Sequence, residues 1–143
     1  MMEEKEKAWK TVSSKYLFRR PWLTVRCEDM LLPNGNHIPE YYILEYPDWV
    51  NTIAITKDGK FVFVRQYRPG LGRTSYELCA GVCDKEDASP LVSAQRELWE
   101  ETGYGKGNWQ EYMVISANPS THTNLTHCFL ATDVEPIDHQ HLE

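Results

Sequence analysis

The sequence predicts an α/β (α+β) fold in which strands alternate with one central helix, preceded by a small antiparallel N-terminal sheet. Three stretches carry this reading. Asn34-Gly35 stands between two apolar, aromatic-rich runs, 22–32 and 37–46, a strong hairpin signal. Residues 50–56 and 61–64 are rich in β-branched and aromatic side chains and flank the turn Lys57-Asp58-Gly59-Lys60. Residues 89–103 hold a single amphipathic helix with both ends marked.

The elements follow in order. Residues 1–10 are charged and short, and predict a frayed turn or no structure, with Trp9 the one large apolar group to bury. Residues 11–46 read as extended. Trp22, Tyr41, Tyr42 and Tyr46 are expected to pack on the sheet, and Arg19-Arg20 to lie at the surface. After the strands at 50–56 and 61–64, Arg65-Gln66-Tyr67-Arg68 place polar groups at a strand end, before Pro69-Gly70. The chain then bends through Gly70 and Gly72 into a short strand at 75–79, which Ala80 ends.

Ser89 suits the helix N-cap and Pro90 the first turn, where no backbone N–H is needed. Gly103 stands where the helix wants a residue of positive φ. At about 100° per residue, Leu91, Ala94 and Leu98 share one face, extended by Val92 and Trp99. Glu97, Glu100 and Glu101 share the opposite face, and Arg96 sits one turn before Glu100. Beyond the helix, 105–108 is a turn, 109–116 a strand, 117–126 a polar loop, and 127–133 a further strand.

Composition sets the outer bounds. A chain of 143 residues, 41% apolar, is long enough for one domain with a real core. The net charge of −6 and the lack of a basic tract argue against nucleic acid as a partner. No apolar run approaches the roughly 18 residues of a membrane span. The N-terminus lacks the apolar segment of a secretory signal. Cys27, Cys79, Cys83 and Cys128 are dispersed, as reduced thiols of a cytoplasmic protein would be. Their spacing does not suit structural zinc.

Three carboxylates on one helix face repel one another by a few tenths of a kcal/mol per neighbouring pair. Two arrangements offset that: a solvated face with Arg96 as surface partner, or a bound divalent cation of the oxygen-seeking kind, such as Mg2+ or Mn2+. Arg68 likewise has two readings. Its planar fork fits phosphate oxygens, and it equally fits an ion pair with Glu77 or a helix carboxylate.

Residues 96–104, Arg-Glu-Leu-Trp-Glu-Glu-Thr-Gly-Tyr, resemble the second half of the Nudix box, and Gly81 matches its opening. The loop between them is one residue longer than the pattern and carries Asp87 where the family has glutamate, as a one-residue insertion near Asp87-Ala88 would leave it. Val64-Arg65-Gln66-Tyr67-Arg68-Pro69, followed by Glu77-Leu78-Cys79-Ala80-Gly81, resembles the ADP-ribose and nucleotide-sugar pyrophosphatase branch, with Cys79 in place of the usual proline. Pro119 falls where that branch tends to carry a proline.

The resemblance implies a Nudix-type sandwich: a mixed β-sheet with the box helix packed on it. It implies an N-terminal sheet region at 1–46 that serves dimerisation, and a catalytic domain at 47–143 that is short at its C-terminus. The expected reaction is metal-dependent hydrolysis of the pyrophosphate bond of ADP-ribose or a related nucleotide sugar, on Mg2+ with Mn2+ as a substitute. Glu97, Glu100, Glu101 and Arg96 are the implied catalytic residues, and Glu97, Glu100, Glu101 and the backbone carbonyl of Ala80 the implied metal ligands. Arg68 and Glu77 are the implied substrate contacts, with His122, Thr123 and Asn124 as further candidates in the late loop. Glu143 stands near the start of the acidic loop that supplies the family's general base. Implied partners are a small nucleotide-sugar substrate and a second copy of the chain, with no nucleic acid and no membrane. A GDP-sugar hydrolase, or a nucleotide-binding module without turnover, are the alternatives.

Overall fold

The structure is a computed structural model and describes residues 7–142; the expectations for residues 1–6 and for Glu143 fall outside the described residues. The chain forms two compact units. One holds the residues up to Tyr46 together with Ala117–Asn124, and the other holds Pro47–Ser116 and the residues from Leu125 on.

The first unit is a three-stranded antiparallel sheet: β1 (Lys10–Arg20), β2 (Leu23–Leu31) and β3 (His37–Glu45), in that order. Gly35, at φ 85°, makes the expected β2–β3 turn, which closes where Leu32 N–H donates to the Asn36 carbonyl at 2.9 Å. Residues 117–124 are a loop, but not a loose one. Leu44 N–H donates to Thr121 O at 2.8 Å, and Thr123 N–H donates to Leu44 O at 3.1 Å. The expectation for Trp22 is corrected: it occupies the β1–β2 turn at φ 65° and is 77% exposed. A turn this tight needs a residue of positive φ, and that backbone throws the indole off the sheet.

The second unit carries a six-stranded mixed sheet. Its centre is β4 (Trp49–Thr56) beside β11 (Thr126–Pro136), in parallel. Parallel neighbours require a crossover, and the connection between these two carries the helix α1 (Pro90–Thr102). β10 (Asn108–Ile115) pairs with β11 on its other side. β8 (Cys79–Val82) and β5 (Phe61–Val62) pair in tandem with successive halves of β4. β9 (Tyr104–Gly105), which the sequence reading did not anticipate, closes on the end of β11.

Two strand boundaries are corrected. Residues 65–68 do end a strand before Pro69, but not the one that begins at Phe61. The ladder breaks at Phe63, and β6 (Val64–Arg68) pairs with β7 (Arg73–Glu77) in a separate two-stranded hairpin. Ala80 does not end a strand; it lies inside β8, opposite Asn51 of β4, because the break falls two residues earlier, at Leu78.

The helix ends where its caps require. Ser89 Oγ accepts from Val92 N–H at 3.3 Å, and Gly103, at φ 75°, donates its N–H to Trp99 O at 2.8 Å. Leu98 and Ala94 are fully buried as expected. Leu98 packs among Ala54, Val64, Cys79, Ala131 and Val134, and Ala94 against Val50 and Phe129. Leu91 and Val92, however, are 37% and 39% exposed, and Ser93 is the third buried residue. Ser93 is tolerated there because its hydroxyl donates to Asp87 Oδ2 at 2.7 Å. No helix of the described residues is long and apolar enough to cross a membrane.

His127 clasps the central strands. Its Nε2 lies 3.0 Å from Asp48 Oδ2 and its Nδ1 lies 3.0 Å from Glu111 Oε2. Asp48 Oδ1 also accepts from Leu125 N–H at 2.9 Å. Burial works against the charged ring, and the bonds to Asp48 and Glu111 outweigh it, so the His127 pKa is raised. For Asp48, burial is outweighed by the Leu125 and His127 bonds, and its pKa is lowered. A raised histidine stabilises fully below its unfolded pKa and loses that contribution as pH rises through the folded pKa. A lowered carboxylate loses its contribution as pH falls. Replacing His127 by Gln is therefore expected to lower Tm by about 3 °C near pH 6, the scale of a partly exposed ion pair. The difference should shrink by pH 9; an equal difference at both pH values would show that the ring is uncharged.

Candidate functional site

Arg96 organises the site. Its Nη2 donates to the Val82 carbonyl at 2.9 Å, which fixes the guanidinium against β8. The same group pairs with Asp84 at 3.2 Å, Asp87 at 3.1 Å, Glu97 at 3.0 Å and Glu100 at 3.0 Å. Burial opposes its charge, but the Asp87 bond and the Glu97 charge outweigh that, and its pKa is raised. Asp87, in the inserted loop, is held below its ordinary pKa by bonds from Ser93 and Arg96.

Glu97 lies flat against β8. Its Oε1 accepts from Val82 N–H at 3.3 Å as well as from Arg96. Burial pushes its pKa up despite those two partners. Gly81 makes this position possible: a Cβ there would sit 2.0 Å from Glu97 Cδ and 2.2 Å from its Oε1. The glycine at the opening of the box therefore has a steric reason, the seat of the first helix carboxylate.

Glu101 stands apart from Arg96 and faces the β6–β7 hairpin. Its Oε1 accepts from Gln66 Nε2 at 3.3 Å. The buried Cys79 thiol lies next to it, its pKa raised first by burial and then by the Glu101 carboxylate. Arg68 feels the Glu101 charge too, but its fork closes on Glu77: Nε to Oε1 at 3.0 Å and Nη2 to Oε2 at 2.6 Å. Of the two readings of Arg68, this structure displays the ion pair.

The structure thus gathers Arg96, Glu97, Glu100 and Asp87 into one network, and Glu101, Arg68 and Glu77 into a second group beside it. Ala80 lies on β8, within the segment against which α1 seats Glu97. His122, Thr123 and Asn124 belong to the first unit, where Thr123 Oγ1 accepts from Tyr46 N–H at 3.3 Å and the His122 ring tilts on Tyr46 at 5.1 Å. Three contributors escaped the sequence reading. Gln66 lies within the quoted Arg65–Arg68 run, yet nothing in its spacing says that it reaches Glu101. Asp84 and the Val82 backbone carry no local signal at all.

A divalent cation suits these groups. Glu101 Oε2 is buried and accepts no hydrogen bond from an N–H or O–H donor. Such an oxygen costs on the order of 1–3 kcal/mol when left without a partner. Asp84, Asp87, Glu97 and Glu100 together carry more negative charge than Arg96 neutralises. The donors are hard oxygens, which Mg2+ and Mn2+ prefer. Among the described residues, no three His, Cys, Asp or Glu side chains already converge as a cage. Mg2+ is commonly held by one or two carboxylates and substrate phosphates, and needs none.

Comparison with known proteins bears on the same residues. A NUDIX domain model matches residues 46–141, and a nucleoside diphosphate sugar hydrolase N-terminal domain model matches residues 9–44. The ADP-ribose pyrophosphatase of Bacillus subtilis (strain 168) is 32% identical over 129 residues, covering 90% of this chain and 69% of that protein. The methanol dehydrogenase activator of Bacillus methanolicus is 33% identical over 122 residues, covering 85% of this chain and 65% of that protein. The chain therefore spans about two thirds of the length of both curated relatives. A crystal structure of an ADP compounds hydrolase shares the fold, with a TM-score of 0.82 over 94% of this chain and 72% of that chain, at 23% identity. The domain match takes in β8, the inserted loop and the acidic face of α1 alike, and the chain belongs to the NUDIX family.

Proposed function

We propose that the chain hydrolyses the pyrophosphate bond of ADP-ribose or a related nucleotide sugar, releasing a nucleoside monophosphate and a sugar phosphate. The observation that carries this reading is the buried Oε2 of Glu101, which no N–H or O–H donor satisfies, beside Gln66 and the weakly donating Cys79 thiol and within the field of Arg68. The Bacillus subtilis relative, an ADP-ribose pyrophosphatase by name, supports the substrate. Water adds across the P–O–P bridge: one new P–O bond forms, one bridging bond breaks, and from ADP-ribose the products are AMP and ribose 5-phosphate.

Nudix hydrolases generally depend on a divalent metal, and we assign it here to Glu97, Glu100, Glu101 and the Ala80 carbonyl, as Mg2+ or Mn2+. When bound, the cation supplies charge neutralisation for the diphosphate oxygens and orientation for the attacking water. Arg96 holds Glu97 and Glu100 in place. Arg68 exchanges Glu77 for a phosphate oxygen, since the same fork serves both. β1 leaves Val12, Leu17 and Phe18 exposed by 55%, 42% and 54%, which supports a homodimer formed through this sheet. Four free thiols support a reducing, cytoplasmic setting.

The test is turnover of ADP-ribose beside GDP-mannose, with Mg2+, with Mn2+ and with chelator, reading AMP and GMP by chromatography. AMP in excess of GMP, and only with the cation, is the expected result. GMP in excess would move the substrate to the GDP-sugars. Ligand binding without any product would leave a nucleotide-binding module.

A further inference from the structure

We propose that residues 137–141 are a strap that fixes the last turn of α1, with Gln140 as a positioning residue for Glu101 and the His141 N–H as the group that positions Glu100; this rests on the metal reading of those two carboxylates.

A helix leaves its last four carbonyls without intrahelical partners, and something else must satisfy them. In α1 the Trp99 carbonyl is closed by Gly103 N–H, as the cap requires. The next two are closed from outside the helix. His141 N–H donates to the Glu100 carbonyl at 2.7 Å, and Gln140 Nε2 donates to the Glu101 carbonyl at 2.7 Å. Ile137 N–H and Asp138 N–H both donate to the Gly103 carbonyl, at 2.9 and 3.2 Å. The strap thus holds the backbone of the two residues whose side chains form the C-terminal part of the acidic face.

Two further contacts hold the strap down. The His141 ring lies on Trp99, with centroids 4.5 Å apart and planes 35° apart, and its Nε2 lies 3.1 Å from Asp138 Oδ2. Gly103 also leaves room for the chain, since a Cβ there would sit 2.3 Å from the Asp138 carbonyl oxygen. Gly103 therefore serves twice, by its positive φ and by letting the strap approach. Carboxylates that share a cation must keep their spacing to a fraction of an ångström, and groups behind the ligands commonly set that spacing.

The experiment is Mn2+ binding to the metal-free protein, read from the paramagnetic resonance of free Mn2+, with Tm measured alongside. Gln140→Met keeps the length of the side chain and removes its donor. His141→Pro removes the N–H that reaches Glu100. Each is expected to weaken Mn2+ binding about tenfold. Unchanged Mn2+ affinity in both variants, with affinity lost in Glu101→Gln, would overturn the strap and leave the metal reading standing. So would a lowered Tm at unchanged affinity, which marks a purely structural contact. Failure of the parent chain to bind Mn2+, or equal binding by Glu101→Gln, would overturn the metal reading and the strap with it.

Discussion

Glu101→Gln is expected to lower kcat/KM for ADP-ribose by about 10³-fold or more, roughly 4 kcal/mol at the transition state. The fold should survive. Glu101 takes no part in the Arg96 network, and the hydrogen bond its carboxylate accepts from Gln66 is a long one, 3.3 Å. Its other oxygen is buried without an N–H or O–H donor, so the carboxylate stands where stability gains little from it. An amide of the same shape removes a charge from that site, and Tm should stay within about 2 °C of the parent or rise, as happens when a functional group kept at some cost to stability is replaced. Steady-state turnover with Mg2+ and thermal melting of the same sample measure both. Full turnover in a folded Glu101→Gln chain would remove Glu101 from the chemistry.

Arg96→Met is expected to do the opposite: damage the fold first and the activity through it. The side chains of Asp87 and Glu97 are only 13% and 16% exposed, and both depend on this guanidinium. Leaving a half-buried carboxylate such as Glu97 without its cation has an upper limit of about 3–5 kcal/mol, the figure for full burial. Arg96 itself is 23% exposed and Asp84 and Glu100 are more open, so screening reduces the loss to about 2 kcal/mol, or about 6 °C in Tm. Arg96→Lys should recover part of that stability but little activity, because an ammonium cannot span Val82 O, Asp87, Glu97 and Glu100 in one plane. Added Mn2+ should raise Tm more in Arg96→Met than in the parent, since the freed carboxylates would take the cation. A melting curve unchanged by Arg96→Met would mean that the network contributes nothing to the fold.

The two substitutions separate what the sequence made visible from what it hid. The helix was legible because its information is local. Ser89, Pro90 and Gly103 each act within one turn, and a 3.6-residue period places Glu97, Glu100 and Glu101 together whatever the helix packs on. The β2–β3 hairpin was legible for the same reason, since Gly35 sets its own backbone. The inserted loop was visible only as an anomaly in spacing, and the structure supplies its meaning: Asp87 reaches both Ser93 and Arg96.

By itself, the sequence determined the helix, its caps, its acidic face and the family to which the chain belongs. The tertiary structure alone decided which groups meet that face. Whether Gln66 reaches Glu101, and whether Arg68 closes on Glu77, depends on the ladder breaking at Phe63 so that β6 pairs with β7. Ser93 rather than Leu91 lies buried because Asp87 arrives to accept its hydroxyl. Gly81 is a glycine because the Glu97 carboxylate lies where a methyl group would be. Gln140 and His141 matter because β11 returns the chain to the C-terminus of α1, some 40 residues after the helix has passed. Propensities and caps act over a few neighbouring residues, whereas these contacts are set by which strands cross and in what register, and no short stretch of the chain encodes that.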